Sequence, residues 1–118
     1  MQSAASDLPL LEAAAREAGA IAREAFGAEV RAWDKGGDQP VSEIDLAINA
    51  LLERKLRGAR PDYGWLSEES EDTPDRQRRQ RVFVVDPLDG TRAFLAGEPQ
   101  FVIAIGVADL GRAAAGVV

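Results

Sequence analysis

The run from Arg81 to Phe94 reads RVFVVDPLDGTRAF, and it sets two carboxylates, Asp86 and Asp89, directly beyond four apolar residues. Such an apolar run marks a strand buried on both faces. Pro87 has no N–H to give a neighbouring strand, so it is expected to end the pairing and throw the chain into a turn. Both aspartates then point into one pocket beyond the strand. Two like charges about 4 Å apart repel by on the order of 4 kcal/mol at an effective dielectric near 20. A proton, an arginine or lysine, or a cation has to offset that. The Leu88 carbonyl between the aspartates is a third candidate oxygen donor, and Gly90 allows backbone to come close to a ligand. Thr91 offers a hydroxyl at the start of a short helix, whose free N–H groups favour an anion. Cation ligands and a phosphate cradle therefore lie side by side. Without that chemistry, the same stretch is an Asp-Gly bend followed by a threonine cap.

Three further polar positions are candidates. Glu68 and Glu69 in LSEES close a shorter strand. Adjacent strand residues point to opposite sides, so one can bind a metal while the other holds a water. Taken alone, EESED is a solvated acidic loop. Asp45 in PVSEIDLAIN follows Ser42 at the spacing of a capping box, which on its own is a helix start and nothing more. Lys35, in the loop before it, is by default a solvated lysine.

Composition narrows the chemistry. The 118 residues contain no cysteine and no histidine. That removes thiolate and imidazole nucleophiles or bases, disulfides, and zinc sites built on sulfur or imidazole. What remains is oxygen, the donor type of Mg²⁺, Mn²⁺ and Ca²⁺. The net charge of −6 argues against a nucleic-acid polymer as partner. A small anion is still open to the chain, because local cations can invert the field at a site. No apolar run approaches the roughly 20 residues of a membrane span. The first residues lack the basic stretch of a signal peptide. A soluble, cytoplasmic protein is the expectation.

The positioning elements follow from periodicity. Leu11, Ala14, Ala18, Ile21, Ala22 and Phe26 recur at helical spacing, predicting a helix from Leu10 to Phe26, with Asp7 as its cap, Pro9 in its first turn and Gly27 at its end. WDKGGDQPV reads as a turn-rich connection. Ile44, Ile48, Leu51, Leu52 and Leu56 predict a second helix from Ser42 to Arg57, stopped by Gly58 and packed antiparallel on the first. Strands are then expected in YGWLSEES, VFVVD, QFVIAIGVAD and AAAGVV. EDTPDRQRRQ is a polar connection, TRAFLAG a short helical turn and LGR a hairpin turn. The chain comes out as one domain, residues 1–118, with a helical pair over 1–60 and the start of a sheet carrying the acidic motifs over 61–118.

PVSEIDLAIN, WLSEES and VVDPLDGTRAF, in this order, resemble the inositol monophosphatase family of magnesium-dependent, lithium-sensitive phosphatases. The resemblance covers nearly the whole chain. It implies an α+β layered sandwich of the inositol monophosphatase and fructose-1,6-bisphosphatase type, with two antiparallel helices on a mainly antiparallel sheet. Within the family, LSEE, LDGTRAF and FLAGEPQF look most like the 3′(2′),5′-bisphosphate nucleotidases, which take the 3′-phosphate from adenosine 3′,5′-bisphosphate. Inositol-1-monophosphatase and histidinol-phosphatase are the alternatives. A non-catalytic metal-binding module is the alternative of another class.

What the resemblance implies can be placed residue by residue. Glu68, Asp86 and the Leu88 carbonyl match ligands of a first Mg²⁺, and Asp86 with Asp89 those of a second. Glu69 matches the acid that holds metal-bound water, and Asp45 with Thr91 the pair that orients the attacking water. Gly90 and Thr91 match backbone donors to phosphate, with Lys35 near it. The family also carries a later Trp-Asp segment that completes the metal set, and this chain ends inside an apolar strand before it. An N-terminal portion of such an enzyme is therefore expected, acting on a small phosphorylated substrate, with a homodimer possible. The arginines Arg76, Arg78, Arg79 and Arg81 are either a lure for a nucleotide phosphate or, the favoured reading, a solvated loop balancing EESED.

Overall fold

The computed structural model describes residues 3–118. Its first helix, α1 (Leu8–Ala25), buries Leu11, Ala14, Ala18 and Ala22. Three of these four are alanines, so the helix can lie close against its neighbours, the second helix and the last two strands. Asp7 was expected to cap α1 and does not, for it makes no side-chain cap bond. Ser3 instead caps the single 3-10 turn that leads in. The Asp7 carboxylate, 1% exposed, accepts hydrogen bonds from Arg60 Nε at 2.9 Å and the Tyr63 hydroxyl at 2.6 Å.

Helix α2 (Glu43–Ala59) starts one residue later and runs two residues further than its apolar pattern predicts, with Arg60 rather than Gly58 at its end. It buries Ile48, Leu52 and Leu56. Asp7 at the head of α1 meets Arg60 at the tail of α2, and Glu17 meets Lys55 at 2.6 Å, so the helices run antiparallel as expected.

The connection between them holds more order than its turn residues suggest. Strands β1 (Ala32–Asp34) and β2 (Pro40–Ser42) pair antiparallel in a hairpin, Trp33 opposite Val41. Gly36, Gly37 and Asp38 take positive φ at its tip, and Asp34 Oδ1 accepts from the Gly36 and Gln39 amides. Strands this short carry no period-2 signal that a sequence could show.

The main sheet has the order β3-β4-β5-β6, from β3 (Gly64–Ser67), β4 (Arg81–Asp89), β5 (Val102–Asp109) and β6 (Arg112–Val117). The β3–β4 pair is parallel and the other two are antiparallel. This is the expected α+β architecture with a mostly antiparallel sheet. Phe83, Val85, Ile105 and Val107 are buried in the core with the helices. The prediction that Val82–Val85 is buried on both faces needs correction. Val84 is 42% exposed and Val82 half-buried, because the helices cover only one side of this strand.

The Asp7 cluster gives the first prediction. Asp7→Ala leaves the Arg60 guanidinium and the Tyr63 hydroxyl without their acceptor. It is expected to cost about 2 kcal/mol of folding stability, seen as a lower urea midpoint at unchanged slope. An unchanged midpoint would mean that this cluster does not tie the helices together.

Candidate metal and phosphate site

The site begins with an irregularity in β4. The strand does not end at Pro87, as its missing N–H suggested, but continues to Asp89. Asp86 pairs with Ala104 and Asp89 with Val102, so two residues of β4 lie opposite one of β5. This is a β-bulge, and Pro87 sits in it, where the ladder asks for no donor. The consequence is chemical. Residues three apart on a regular strand face opposite sides, but one extra residue brings Asp86 and Asp89 to the same side. Gly90 then turns the chain at φ 94°, and α3 (Thr91–Leu95) begins. The close approach that requires glycine here is to the protein's own backbone, since a Cβ would stand 2.5 Å from the Gln100 carbonyl oxygen and 3.1 Å from Phe101 Cα.

The parallel pairing of β3 with β4 sets Ser67 beside Val85, so Glu68 emerges next to Asp86 at the same end of the sheet. The strand stops at Ser67, and a turn follows in which the Ser70 amide donates to the Ser67 carbonyl at 3.3 Å. Strand alternation no longer applies, so Glu68 and Glu69 both line one cavity rather than pointing to opposite sides. Lys35 reaches in from the β1–β2 hairpin and pairs with Glu69 at 2.6 Å. That bond, aided by the nearby charges of Glu68 and Asp45, holds the lysine pKa above its usual value against the opposing effect of burial.

Asp45 closes the capping box and also reaches across to Thr91. One oxygen, Oδ2, accepts from the Ser42 amide at 2.9 Å and from the Ser42 hydroxyl at 2.5 Å, closing the capping box. The other, Oδ1, accepts from the Thr91 hydroxyl at 2.7 Å. Thr91 Oγ1 also lies 3.0 Å from the Leu88 carbonyl oxygen. Asp45 is 3% exposed and Thr91 9%.

These residues meet in a cavity of about 560 Å³. The metal, water and phosphate candidates from the sequence all line it: Lys35, Asp45, Glu68, Glu69, Asp86, Leu88, Asp89, Gly90 and Thr91. Asp38, Gln39, Pro40 and Arg92 line it too, without having been singled out as site residues. None of the arginines Arg76, Arg78, Arg79 and Arg81 reaches it. Arg76 pairs with Asp72, Arg79 with Asp75, and Arg81 with Asp109, so three of the four answer local acids.

The cavity's lining carries more acids than bases, and Asp86 registers the imbalance. Its pKa is pushed up to about 6, first by burial, then by the charges of Glu68 and Asp89, with a smaller push from Glu69 and an opposing hydrogen bond from the Leu88 amide. The donors Glu68, Asp86, Asp89 and the Leu88 carbonyl are hard oxygens of the kind Mg²⁺ takes, and their negative charge is not fully answered from within the chain. In donor chemistry they fit a divalent cation. Among the described residues, no three acidic side chains are grouped as a ready-made ligand set, so binding has to draw the carboxylates together.

Helices laid on one face of a mainly antiparallel sheet, with oxygen donors gathered at the ends of its parallel pair, make this an α+β layered protein with a polar cavity at the sheet's end. Residues 5–118 match the inositol monophosphatase family, and the chain belongs to it. It is 41% identical over 93 residues to a Streptomyces griseus protein named glucose-1-phosphate thymidylyltransferase, covering 79% of this chain and 36% of that protein. It is 37% identical over 108 residues to the 3′(2′),5′-bisphosphate nucleotidase CysQ of Salmonella typhimurium, covering 83% and 44%. Other curated relatives are named histidinol-phosphatase and inositol-1-monophosphatase. Among solved structures, the extragenic suppressor protein SuhB of Bartonella henselae superposes with a TM-score of 0.88 at 34% identity, covering 95% of this chain and 44% of that one. The chain thus spans less than half the length of these proteins. Their names differ in substrate, so the similarity fixes the family and not the molecule acted on. Among the described residues no helix is long and apolar enough to cross a membrane.

Two measurements test the site. Gly90→Ala forces a side chain into left-handed backbone and against Gln100, and should cost about 2 kcal/mol or more in chemical denaturation. An unaltered midpoint would show that the turn can re-form without glycine. The second concerns Asp86. A raised carboxyl pKa means that the folded chain holds this proton more tightly than the unfolded one. Its contribution to stability is full below about 3.8 and is lost as the pH rises through about 6. A cation that neutralises the cluster should restore it, so millimolar Mg²⁺ is expected to raise the melting temperature above about pH 7 and to do little near about pH 4. Equal shifts at both pH values, read by calorimetry, would remove Asp86 from the binding site.

Proposed function

We infer that this chain carries the cation and phosphate site of a Mg²⁺-dependent, lithium-sensitive phosphomonoesterase. The observation that carries the reading is the meeting of Asp45, Glu68, Glu69, Asp86, Asp89 and Thr91 in one cavity, although they come from three separated segments. Glu68, Asp86 and the Leu88 carbonyl would hold one Mg²⁺, and Asp86 with Asp89 a second. Bound there, the ions supply counter-charge for phosphoryl oxygens and acidify a water.

The chain's own residues do the rest. The Asp45 carboxylate accepts a hydrogen bond from the Thr91 hydroxyl, which leaves a lone pair on Thr91 Oγ1 to accept one from a water aimed at phosphorus. As that water attacks, its proton passes to Thr91 Oγ1 while the Thr91 proton passes to Asp45. Glu69, fixed by Lys35, holds a second contact to water at the cavity wall. Gly90 and Thr91 line the same space, and their backbone amides are the proposed donors to the phosphate. Water attacks directly in this scheme, in keeping with a chain that has no cysteine or histidine to form a covalent intermediate.

The substrate favoured is adenosine 3′,5′-bisphosphate, cleaved to AMP and phosphate in the cytoplasm. LDGTRAF and the identity to CysQ support it, and so does Arg92, a cation at the cavity's edge whose side chain also meets Asp38. Inositol 1-phosphate and histidinol phosphate are the alternatives. A non-catalytic cation-binding module is the second reading, since the oxygen donors that line the cavity suit a cation whether or not turnover follows.

Phosphate release from the three substrates decides between them. The expected result is release that needs Mg²⁺, is suppressed by Li⁺, is fastest with the bisphosphate, and falls at least about 100-fold in Asp89→Asn. Cation binding without release would establish the module. Near-normal turnover in Asp89→Asn would overturn the assignment of the site.

A further inference from the structure

Behind the cavity wall lies a polar cluster that the proposed chemistry does not use. Asn49, one turn after Asp45 on α2, is 7% exposed on a helix face that otherwise buries Ile48, Leu52 and Leu56. Asparagine is a weaker helix former than alanine, and a buried amide is costly unless its groups are bonded. Here both are bonded, and both bonds go to the same turn. Asn49 Oδ1 accepts from the Ser67 hydroxyl at 2.5 Å, and Asn49 Nδ2 donates to Ser70 Oγ at 2.9 Å. Ser67 Oγ accepts in turn from the Glu69 amide at 3.3 Å, and the Trp65 indole N–H donates to Ser70 Oγ at 3.0 Å. One side chain therefore grips the residue before Glu68 and the residue after Glu69.

We propose that Asn49 is a positioning residue: by clamping Ser67 and Ser70 it holds the intervening turn so that Glu68 and Glu69 both enter the cavity. Its importance for cation binding rests on the reading of that cavity given above. The geometry is specific to the turn. Without the clamp, adjacent acids at a strand end are free to diverge, and the cavity loses one of the two carboxylates that the turn after β3 contributes. The same helix carries Asp45, whose bond to Thr91 sets the opposite side of the cavity. Residues one helical turn apart thus fix the two sides at a set spacing.

The test uses the whole chain and Mn²⁺ as probe. Asn49→Ala is expected to speed amide exchange at Glu69 about tenfold and to weaken Mn²⁺ binding by about 10- to 100-fold. Ser67→Ala should act in the same direction, and the double variant should be little worse than Asn49→Ala alone, because both break one network. Leu52→Val, a core change on the same helix, should lower the melting temperature and leave both readouts unmoved. If Asn49→Ala behaves like Leu52→Val, with Glu69 exchange and Mn²⁺ affinity unchanged, the proposal is overturned. If the unmodified chain binds no Mn²⁺, the cation reading falls separately, and exchange at Glu69 by itself decides whether Asn49 holds the turn.

Discussion

A single extra residue in β4 determines the character of this protein's cavity. The ladder to β5 is regular as far as Asp86 and resumes at Asp89, and the slack between them is taken up by Pro87 and Leu88. Remove the bulge and the two aspartates face opposite sides of the sheet, one of them towards the helices. Keep it and they share one side, with the Leu88 carbonyl between them and Gly90 free to turn the chain into α3. The arrangement gathers negative charge at short range, and after burial it is the charges of Glu68 and Asp89 that raise the pKa of Asp86. A site that concentrates charge in this way is poor at being a structural corner. It is suited to a ligand that brings positive charge with it.

Helix α2 is the second member on which the site depends, and it acts through hydrogen bonds rather than bulk. Its N-terminus is built by Ser42 and Asp45, and Asp45 has oxygens enough for two tasks. One closes the cap and the other restrains Thr91. A capping box is usually a local matter worth about 1 kcal/mol. Here it also fixes where the first residue of α3 lies, so the start of one helix is tied to the start of another across the cavity. The far end of α2 is held independently, by Arg60 on Asp7, so the helix is anchored at both ends while its apolar face lies in the core.

Much of this was legible in the sequence, and what was not has identifiable causes. The two long helices could be read because apolar residues recur at helical spacing over many positions, and the four main strands because short apolar stretches stand between turn and acidic residues. The antiparallel helices followed from their short connection, whereas the mainly antiparallel sheet was implied by the family resemblance. The hairpin at Ala32–Ser42 was missed because strands of three residues, mostly exposed, leave no period to find. Asp7 was misassigned since a cap and a buried ion-pair partner are the same residue type at the same place. Only the tertiary position of Arg60 and Tyr63, more than 50 residues away, tells them apart. Pro87 was read as a terminator from its missing N–H, a sound rule that a bulge suspends. Asn49 carried one faint signal, an amide among the apolar residues of an amphipathic helix. The partners that give it meaning, Ser67 and Ser70, are assigned by the fold alone.

The two sides of the sheet place the cavity at a boundary. The helices cover Phe83 and Val85, while Val84 is left 42% exposed on the other side. A second hollow, of about 570 Å³ and lined by Leu66, Val84, Ile105, Gly106 and Val117, lies next to the first, and Glu68 and Asp86 belong to both. Two candidate ligands therefore form the partition between a polar space and an apolar one. Burial is already the largest cause of the raised pKa of Asp86. Any apolar cover over the second hollow would deepen that burial, disfavouring the ionised carboxylate when it stands alone and strengthening its attraction to a cation in the adjoining space.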